Sequence, residues 1–180
     1  QAKMLYDADL SVLAALHNRE KLDPTYGTAR SGPKTFDNER FLRLWWEVQP
    51  NEVGREAKWA FFSKGGKFQL FVHPLRLVVK WNAGGHELMA KNQNVNGQTA
   101  QVRQGCDLFF RAGLSFPSRS EIGFCARLHP EGAVFSSNSP VLIPAEPRDQ
   151  MLLLGLLSSD QYRLALDQQS HRRSYSPGLI

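Results

Sequence analysis

The sequence predicts an α+β fold: a central, mostly antiparallel, twisted β domain with a short N-terminal helix and a closing C-terminal helical pair. Short apolar runs of strand length, separated by Gly, Pro, Asn and Ser, occupy the middle of the 180-residue chain. Apolar residues at helical spacing lie before these runs and after them. With 42% hydrophobic residues, the chain is long enough to bury one core.

The N-terminal part combines a helical pattern with a polar stretch. Residues 9–21 place leucines near helical spacing behind Asp9, a suitable N-cap, which predicts a short amphipathic helix. Residues 23–38 are dense in Gly, Pro, Ser, Thr and Asp, which predicts an exposed loop. We therefore expect residues 1–34 to form a connector helix and loop.

The central runs predict the strands. Residues 41–48 indicate a helical turn that passes into a strand. Residues 59–62 and 68–72 flank SKGGK, the pattern of a β-hairpin with a glycine turn. Residues 77–81 predict the next strand and residues 91–105 a loop rich in Asn, Gln and Gly. Four further strands are predicted at DLFFR, GFCARL, AVFSS and PVLIP.

The C-terminal part predicts two helices and a tail. The first helix begins behind Asp149, and Ser158 with Gln161 three residues later has the spacing of a capping box that starts the second. Residues 169–180 are polar, and we expect them to be a loose tail.

Positive charge is concentrated in the middle of the chain. Residues 61–130 contain nine Lys and Arg against three Asp and Glu, whereas the flanking parts are nearly balanced. Basic residues interleaved with Gly, Ser, Asn, Gln and aromatic residues are typical of surfaces that contact a phosphate backbone. A solvated basic face without function is the alternative that charge alone leaves open.

The sequence contains neither a membrane-spanning run nor a secretory signal, so we expect a cytoplasmic protein without a membrane partner. Its two cysteines, Cys106 and Cys125, lie in apolar runs and predict buried, reduced thiols without a metal. The chain starts at Gln1 without an initiator methionine, and we expect it to be a piece of a longer protein.

No catalytic motif is found in the chain. A nucleophile elbow, a Walker loop, a zinc-protease motif and a dinucleotide fingerprint are all missing from the sequence. The string DPTY at 23–26 is similar to the catalytic tetrapeptide of amino-methyltransferases, but Thr25 replaces the usual Pro and no Gly-rich cofactor loop precedes it, which favours a turn. We therefore predict no catalytic residue, no cofactor and no metal ligand here.

Four separated blocks resemble the target recognition domain of adenine-specific DNA methyltransferases of the restriction-modification and phage-defence kind, such as the BREX and DISARM methylases. The blocks are DNERF with LWWEV at 37–48, FSKGG at 62–66 with VVKW at 78–81, GLSFPSR with FCARLHPEG and VFSSNSP at 113–140, and LLGLLSS at 153–159. Phe116 and Phe36 depart from the Trp and Gly that are usual in that family. The resemblance covers residues 35–168, which we expect to form the recognition domain.

The resemblance implies sequence-specific recognition of double-stranded DNA on behalf of an S-adenosylmethionine-dependent N6-adenine methyltransferase. The catalytic domain, with its cofactor, would lie upstream as a partner of this chain, and other defence-system subunits are further possible partners. We expect the basic and small polar side chains of the loops to contact DNA, with lysines on phosphates and arginines on phosphates or guanine edges. The candidate residues are Lys64, Gly65, Gly66, Lys67, Arg76, Lys80, Arg111, Ser115, Ser118, Arg119, Ser120 and Arg127.

Two other functions remain open at this point. The same charge pattern would suit an RNA-binding module, and a protein-interaction domain could carry an incidental basic face. The aromatic residues in the blocks are expected to be core residues instead of base-stacking ones, because aromatic residues in strand-like runs usually face inward. These are Trp45, Trp46, Trp81, Phe109, Phe124 and Phe135.

Overall fold

A computed structural model describes residues 22–96, 105–170 and 172–180, so the helix predicted at 9–21 lies outside the described residues. The strands are β1 (Gly27–Arg30), β2 (Leu42–Leu44), β3 (Trp59–Ser63), β4 (Leu77–Lys80), β5 (Gly113–Ser115), β6 (Arg127–His129), β7 (Ala133–Phe135) and β8 (Val141–Pro144). The helical segments are α1 (Leu22–Thr25), α2 (Asn38–Phe41), α3 (Asn82–Asn96), α4 (Gln150–Ser158) and α5 (Asp160–Gln169).

The strands form two four-stranded sheets, ordered β1-β8-β5-β6 and β2-β4-β3-β7. Every strand pair is antiparallel except β3 with β7, which is parallel. The predicted α+β class with a mostly antiparallel centre is therefore confirmed, and so is the helical pair, α4 and α5.

Two apolar clusters hold these layers together. The first packs the sheet that contains β3 against α2, α3, Phe109 and strand β8 of the other sheet. The second packs the other sheet against α4 and α5 through residues such as Phe116, Phe124 and Leu157. Burial of this kind stabilises by about 25 cal/mol for each Å² of apolar surface removed from water.

Some local predictions are confirmed and others are wrong. β4 forms at 77–80 as predicted. A helical turn does pass into a strand near 41–48, but the turn lies at 38–41, the strand β2 ends at Leu44, and Trp45–Glu47 form a 3₁₀ turn. The predicted hairpin does not form: β3 pairs with β4 and β7, and residues 68–72 contribute only the isolated bridge of Phe71 with Arg127. Those residues do not form a strand because the partners on both sides of β3 come from farther along the chain.

Three segments predicted to be irregular are ordered. Part of the predicted loop at 23–38 is strand β1, which pairs with β8 and is the edge strand of its sheet. Helix α3 continues to Asn96 in the region predicted as a loop from 91. The tail is not loose, because Tyr175 is only 1% exposed within the second cluster and its amide donates to the Ser118 carbonyl at 2.8 Å.

Two further predictions fail within the apolar runs. DLFFR is a 3₁₀ turn at Cys106–Leu108 instead of a strand, and the strand of this region is β5. Cys125 is buried as predicted, but Cys106 is exposed. Short apolar runs do not specify which residues become strand, since pairing depends on distant partners.

Candidate nucleic-acid interface

One end of the two sheets gathers most of the predicted contact residues; we call it the basic end. Here β3 and β7 finish, with the Ser136 amide donating to the Ser63 carbonyl at 2.9 Å, and β4 begins after Arg76. The turn after β5 joins the same place, because the Ser118 amide donates to the Asn138 carbonyl at 3.1 Å. Strand pairing thus collects residues that are far apart in the sequence.

Exposed cations at the basic end come from three segments of the chain. They are Lys67 and Arg76 on either side of the Phe71 bridge, Arg119 after β5, and Arg172 and Arg173 in the C-terminal segment. Arg119 and the C-terminal segment lie together, since Arg119 forms a β-bridge with Ser174. None of these five cations forms an ion pair with another described residue.

Three carboxylates lie near these cations. Glu121 is exposed two residues after Arg119, and Glu47 follows the Trp45–Trp46 pair and caps its own turn by accepting from the Leu44 amide at 2.8 Å. The Asp167 carboxylate accepts from the hydroxyl of Tyr175, two residues after Arg173. None of the three is paired with a cation of the described chain. The basic end therefore keeps an excess of unneutralised positive charge.

The predicted Lys-Gly-Gly-Lys tip is a packed turn and not a hairpin tip. Gly65 and Gly66 have φ angles of +94° and +125°. A Cβ on Gly65 would lie 2.7 Å from the Asn138 carbonyl oxygen, and one on Gly66 would lie 2.8 Å from the His73 ring. Only glycine satisfies both the backbone conformation and the close approach.

Lys64 differs from Lys67 in its surroundings. Its Nζ donates to the Asn38 side-chain oxygen at 2.7 Å, and partial burial lowers its pKa. Lys67 is exposed. Of the two predicted phosphate contacts, Lys67 is the more accessible point charge.

Arg127 is not at the surface, contrary to the prediction that its guanidinium is accessible at a strand end. The side chain is fully buried, and burial lowers its pKa. Among the described residues, its three guanidinium nitrogens have no hydrogen-bond partner. The sequence suggested exposure because arginine seldom occupies a core without a partner.

The predicted serines are mostly structural in this conformation. Ser115 and Ser120 are buried, at 3% and 8% exposed, and the Ser120 hydroxyl accepts from the Gly123 amide at 3.4 Å. Ser118 is half-buried, and its backbone bonds to Asn138 and Tyr175. Through these backbone bonds the serines fix the loop that presents Arg119.

Two predicted residues lie at the opposite end of the sheets. Lys80 pairs in register with Trp59, the first residue of β3, and its Nζ forms an ion pair with Glu87 at 2.8 Å. The same ion pair lowers the pKa of Glu87, together with Arg40. Arg111 is exposed just before β5, near the start of β7. The structure does not bring either of them to the basic end.

Two of the six aromatic residues predicted to be core are exposed. Trp45 and Trp46 are 48% and 54% exposed and contact each other edge to face, with ring centroids 5.6 Å apart. The Trp45 amide donates to the Arg76 carbonyl at 3.0 Å, which places the pair at the basic end. Trp81, Phe109, Phe124 and Phe135 are buried as predicted.

Sequence reasoning missed four residues of this end: Trp45, Trp46, Arg172 and Arg173. The two tryptophans follow a strand of only three residues, so their position beyond its end could not be read from an apolar pattern. The two arginines lie in the segment predicted as a loose tail. The apolar Tyr175 between polar neighbours was the signal that this segment is anchored.

Three other features bear on catalysis, metal binding and membrane insertion. Most of the DPTY string lies in the four-residue helical segment α1, and the Asp23 carboxylate accepts from the Ala29 amide at 3.1 Å and from Arg30 at 2.8 Å. Within residues 22–96, 105–170 and 172–180, no cluster of three metal-binding side chains occurs. No helix in those ranges is long and apolar enough to cross a bilayer.

The sequence is similar to part of a known methyltransferase. Over 162 residues the chain is 23% identical to an adenine-specific methyltransferase, PglX, of Lacticaseibacillus casei (strain Zhang). The aligned region covers 85% of this chain but 14% of that protein, so the chain corresponds to a small part of its relative. No protein-family model matches the sequence. The chain is thus distantly related to part of an adenine-specific methyltransferase.

Proposed function

We propose that this chain recognises a sequence in double-stranded DNA and serves as the target recognition domain of an adenine-specific DNA methyltransferase. Residues 35–168 would form its main part, with the C-terminal segment that carries Arg172 and Arg173 packed on it. The observation that carries this proposal is the basic end, where exposed cations without carboxylate partners lie beside two exposed indoles. Such a surface suits a polyanion with planar bases. The distant methyltransferase relative makes DNA the favoured polyanion.

The proposed contacts divide into two kinds. Lys67, Arg76, Arg172 and Arg173 are exposed charges that would neutralise phosphates and release counterions. Arg119 lies on a loop held by backbone bonds, and its planar guanidinium would donate to O6 and N7 of a guanine in the major groove. The four phosphate-contacting residues would thus position the DNA, and Arg119 would discriminate between sequences.

The catalytic part of the reaction is assigned elsewhere. The adenine would be flipped into an upstream methyltransferase domain that binds S-adenosylmethionine, and this chain would contribute DNA recognition alone. We assign no cofactor and no catalytic residue to the chain. A phage-defence system with further subunits is the proposed setting, and the cytoplasm its proposed location.

The test compares two lysines by fluorescence anisotropy with a labelled duplex at several salt concentrations. Lys67→Ala should weaken binding to all duplexes alike and reduce the slope of log affinity against log salt by about one unit. Lys80→Ala is the matched control, because Lys80 lies at the other end in an ion pair with Glu87. Equal effects of the two changes would contradict the placement of the interface.

Specificity is tested with Arg119. Selection from a random duplex library should enrich a defined motif with the unaltered chain, and Arg119→Ala should lose about 1–3 kcal/mol of discrimination at one base pair. A uniform loss across all sequences would make Arg119 a phosphate contact. Equal competition by duplex RNA would favour the RNA-binding alternative, and no salt-dependent binding would refute a nucleic-acid function.

A protein-interaction function is the second candidate, because the helical pair exposes an apolar face. Met151, Leu152, Leu156 and Leu164 are 64%, 72%, 47% and 52% exposed. Several large apolar side chains exposed on a helical surface are typical of a contact with another protein surface. Leu152→Glu should leave DNA binding intact while disrupting such a contact, so the two functions are separable by pull-down with the methyltransferase domain.

A further inference from the structure

Arg127 is a buried cation at the basic end that has no counter-charge among the described residues. It is 0% exposed, and Nε, Nη1 and Nη2 have no partner among the described residues. Arginine remains protonated in proteins, so the side chain carries its charge in this position. Removing one partner of a buried charge pair is strongly destabilising because an uncompensated charge remains, and Arg127 is in that uncompensated state.

The side chain points into the space between the two sheets. Leu128 packs with the second cluster, around α4 and α5. Because side chains alternate along a strand, Arg127 and His129, on either side of Leu128, face away from that cluster. His129 contacts Phe135 of the other sheet, with ring centroids 5.9 Å apart. The nearby Cys125 thiol has its pKa raised by burial and is therefore neutral, so it gives the guanidinium no counter-charge.

The segment Lys64–Arg76 covers Arg127. A Cβ built on Gly66 would lie 3.7 Å from Arg127 Nη1 and 2.8 Å from the His73 ring, so these two residues close over the guanidinium. Burial, Arg127 and Arg76 together lower the pKa of His73, which keeps the ring neutral beside the cation. The cover therefore excludes water without supplying a negative charge.

The cover is held at both ends and has few attachments between them. At its ends, Lys64 Nζ donates to the Asn38 side-chain oxygen at 2.7 Å and the Arg76 carbonyl accepts from the Trp45 amide at 3.0 Å. In between, the Arg163 guanidinium lies 5.3 Å from the centroid of the Phe68 ring. No strand is assigned from Lys64 to Arg76, and the segment bonds to β6 through two backbone hydrogen bonds: Phe71 amide to Ala126 carbonyl, 3.1 Å, and Leu128 amide to Phe71 carbonyl, 2.8 Å. Phe71 has a φ of +70°, which is unfavourable for a residue with a Cβ, and its side chain is half-exposed. Few bonds and unfavourable backbone geometry characterise segments that open locally.

We propose that Arg127 is a covered anion site: when DNA binds, the segment Lys64–Arg76 moves aside and the guanidinium pairs with a backbone phosphate. This inference rests on the proposed DNA-binding function. Lys67 and Arg76 lie on the cover and attract the same phosphates. Bound DNA therefore stabilises the conformation in which the segment has moved aside and Arg127 also contacts a phosphate. In the free chain, no described residue compensates the Arg127 guanidinium for its lost hydration. In the complex, a charge-assisted, bidentate contact with a phosphate compensates it.

The main test is Arg127→Met, which removes the charge and keeps a long side chain. We expect the free variant to melt at the same temperature as the unaltered chain or higher, while its affinity for duplex DNA falls at least tenfold and the salt slope falls by about one unit. Arg127→Lys, which keeps the charge and loses the fork, should be intermediate in affinity. A purely structural arginine would behave in the opposite way, with lower stability in Arg127→Met.

Hydrogen exchange of the Phe71 and Leu128 amides tests the movement of the cover. Both amides should exchange faster in the DNA complex than in the free chain, since their hydrogen bonds to the Ala126 and Phe71 carbonyls break when the segment moves. Slower or equal exchange, unchanged DNA affinity of Arg127→Met, or a markedly lower melting temperature of that variant would each overturn the proposal.

A separate arm distinguishes this inference from the proposed function. If the unaltered chain fails to bind DNA, the proposed function is refuted, and the anion site is then judged with inorganic pyrophosphate. Pyrophosphate should raise the melting temperature of the unaltered chain and leave that of Arg127→Met unchanged. An equal rise in both, or no rise in either, would refute the anion site as well.

Discussion

The burial of His129 predicts a specific loss of stability in acid. This side chain is 1% exposed, and burial lowers its pKa from 6.5 to about 4, against a smaller opposite effect of the Ala133 backbone. In the unfolded chain the ring takes up a proton near pH 6.5, whereas the folded chain resists protonation until about pH 4. Between these values the unfolded state binds more protons, so the free energy of unfolding decreases as the pH falls.

The magnitude follows from the two pKa values. At about 1.4 kcal/mol per pH unit, the interval from 6.5 to about 4 corresponds to roughly 3 kcal/mol. The loss begins near pH 6.5 and is complete below about pH 4. Because domains of this size have total stabilities of about 5–15 kcal/mol, such a loss is easily measured.

Urea denaturation followed by circular dichroism at several pH values between these limits provides the assay. His129→Leu cannot be protonated, so its stability relative to the unaltered chain should improve by about 3 kcal/mol over the interval, while other titrating groups cancel in the difference. His73→Leu is the control, and its effect should be smaller because His73 is half-buried. A stability difference between His129→Leu and the unaltered chain that does not change with pH would refute the reasoning.

Three further predictions concern packing, capping and the interface. Phe124→Ala should lower the free energy of unfolding by about 3–5 kcal/mol, since the ring is fully buried between Phe116 and Tyr175; a loss below about 1 kcal/mol in chemical denaturation would contradict the second cluster. Ser159→Ala should cost about 1 kcal/mol because its hydroxyl caps α5, whereas Ser158→Ala should cost less, and the reverse order would place the cap where the sequence predicted it. Trp45→Ala should weaken DNA binding with little effect on the melting temperature, which anisotropy and calorimetry can separate; unaltered affinity would remove this indole from the interface.

The candidate interface was partly predictable. Excess charge between residues 61 and 130 and the Lys-Gly-Gly-Lys string pointed to the region, and Lys67, Arg76 and Arg119 are indeed exposed at one end. Lys80 could not be excluded from the sequence, because its partner Glu87 approaches only when α3 folds back beside β4. A charge count does not reveal which cations are already neutralised.

The sequence by itself determined the fold class, the helical pair after Pro147 and the basic character of the centre. These features depend on local periodicity, capping residues and composition, which act over a few neighbouring residues. The tertiary structure decided the strand partners, the order of the C-terminal segment and the burial of Arg127. Each of these depends on contacts between residues far apart in the chain. Pairing and burial are properties of such contacts, and no local pattern in the sequence encodes which distant segment will provide them.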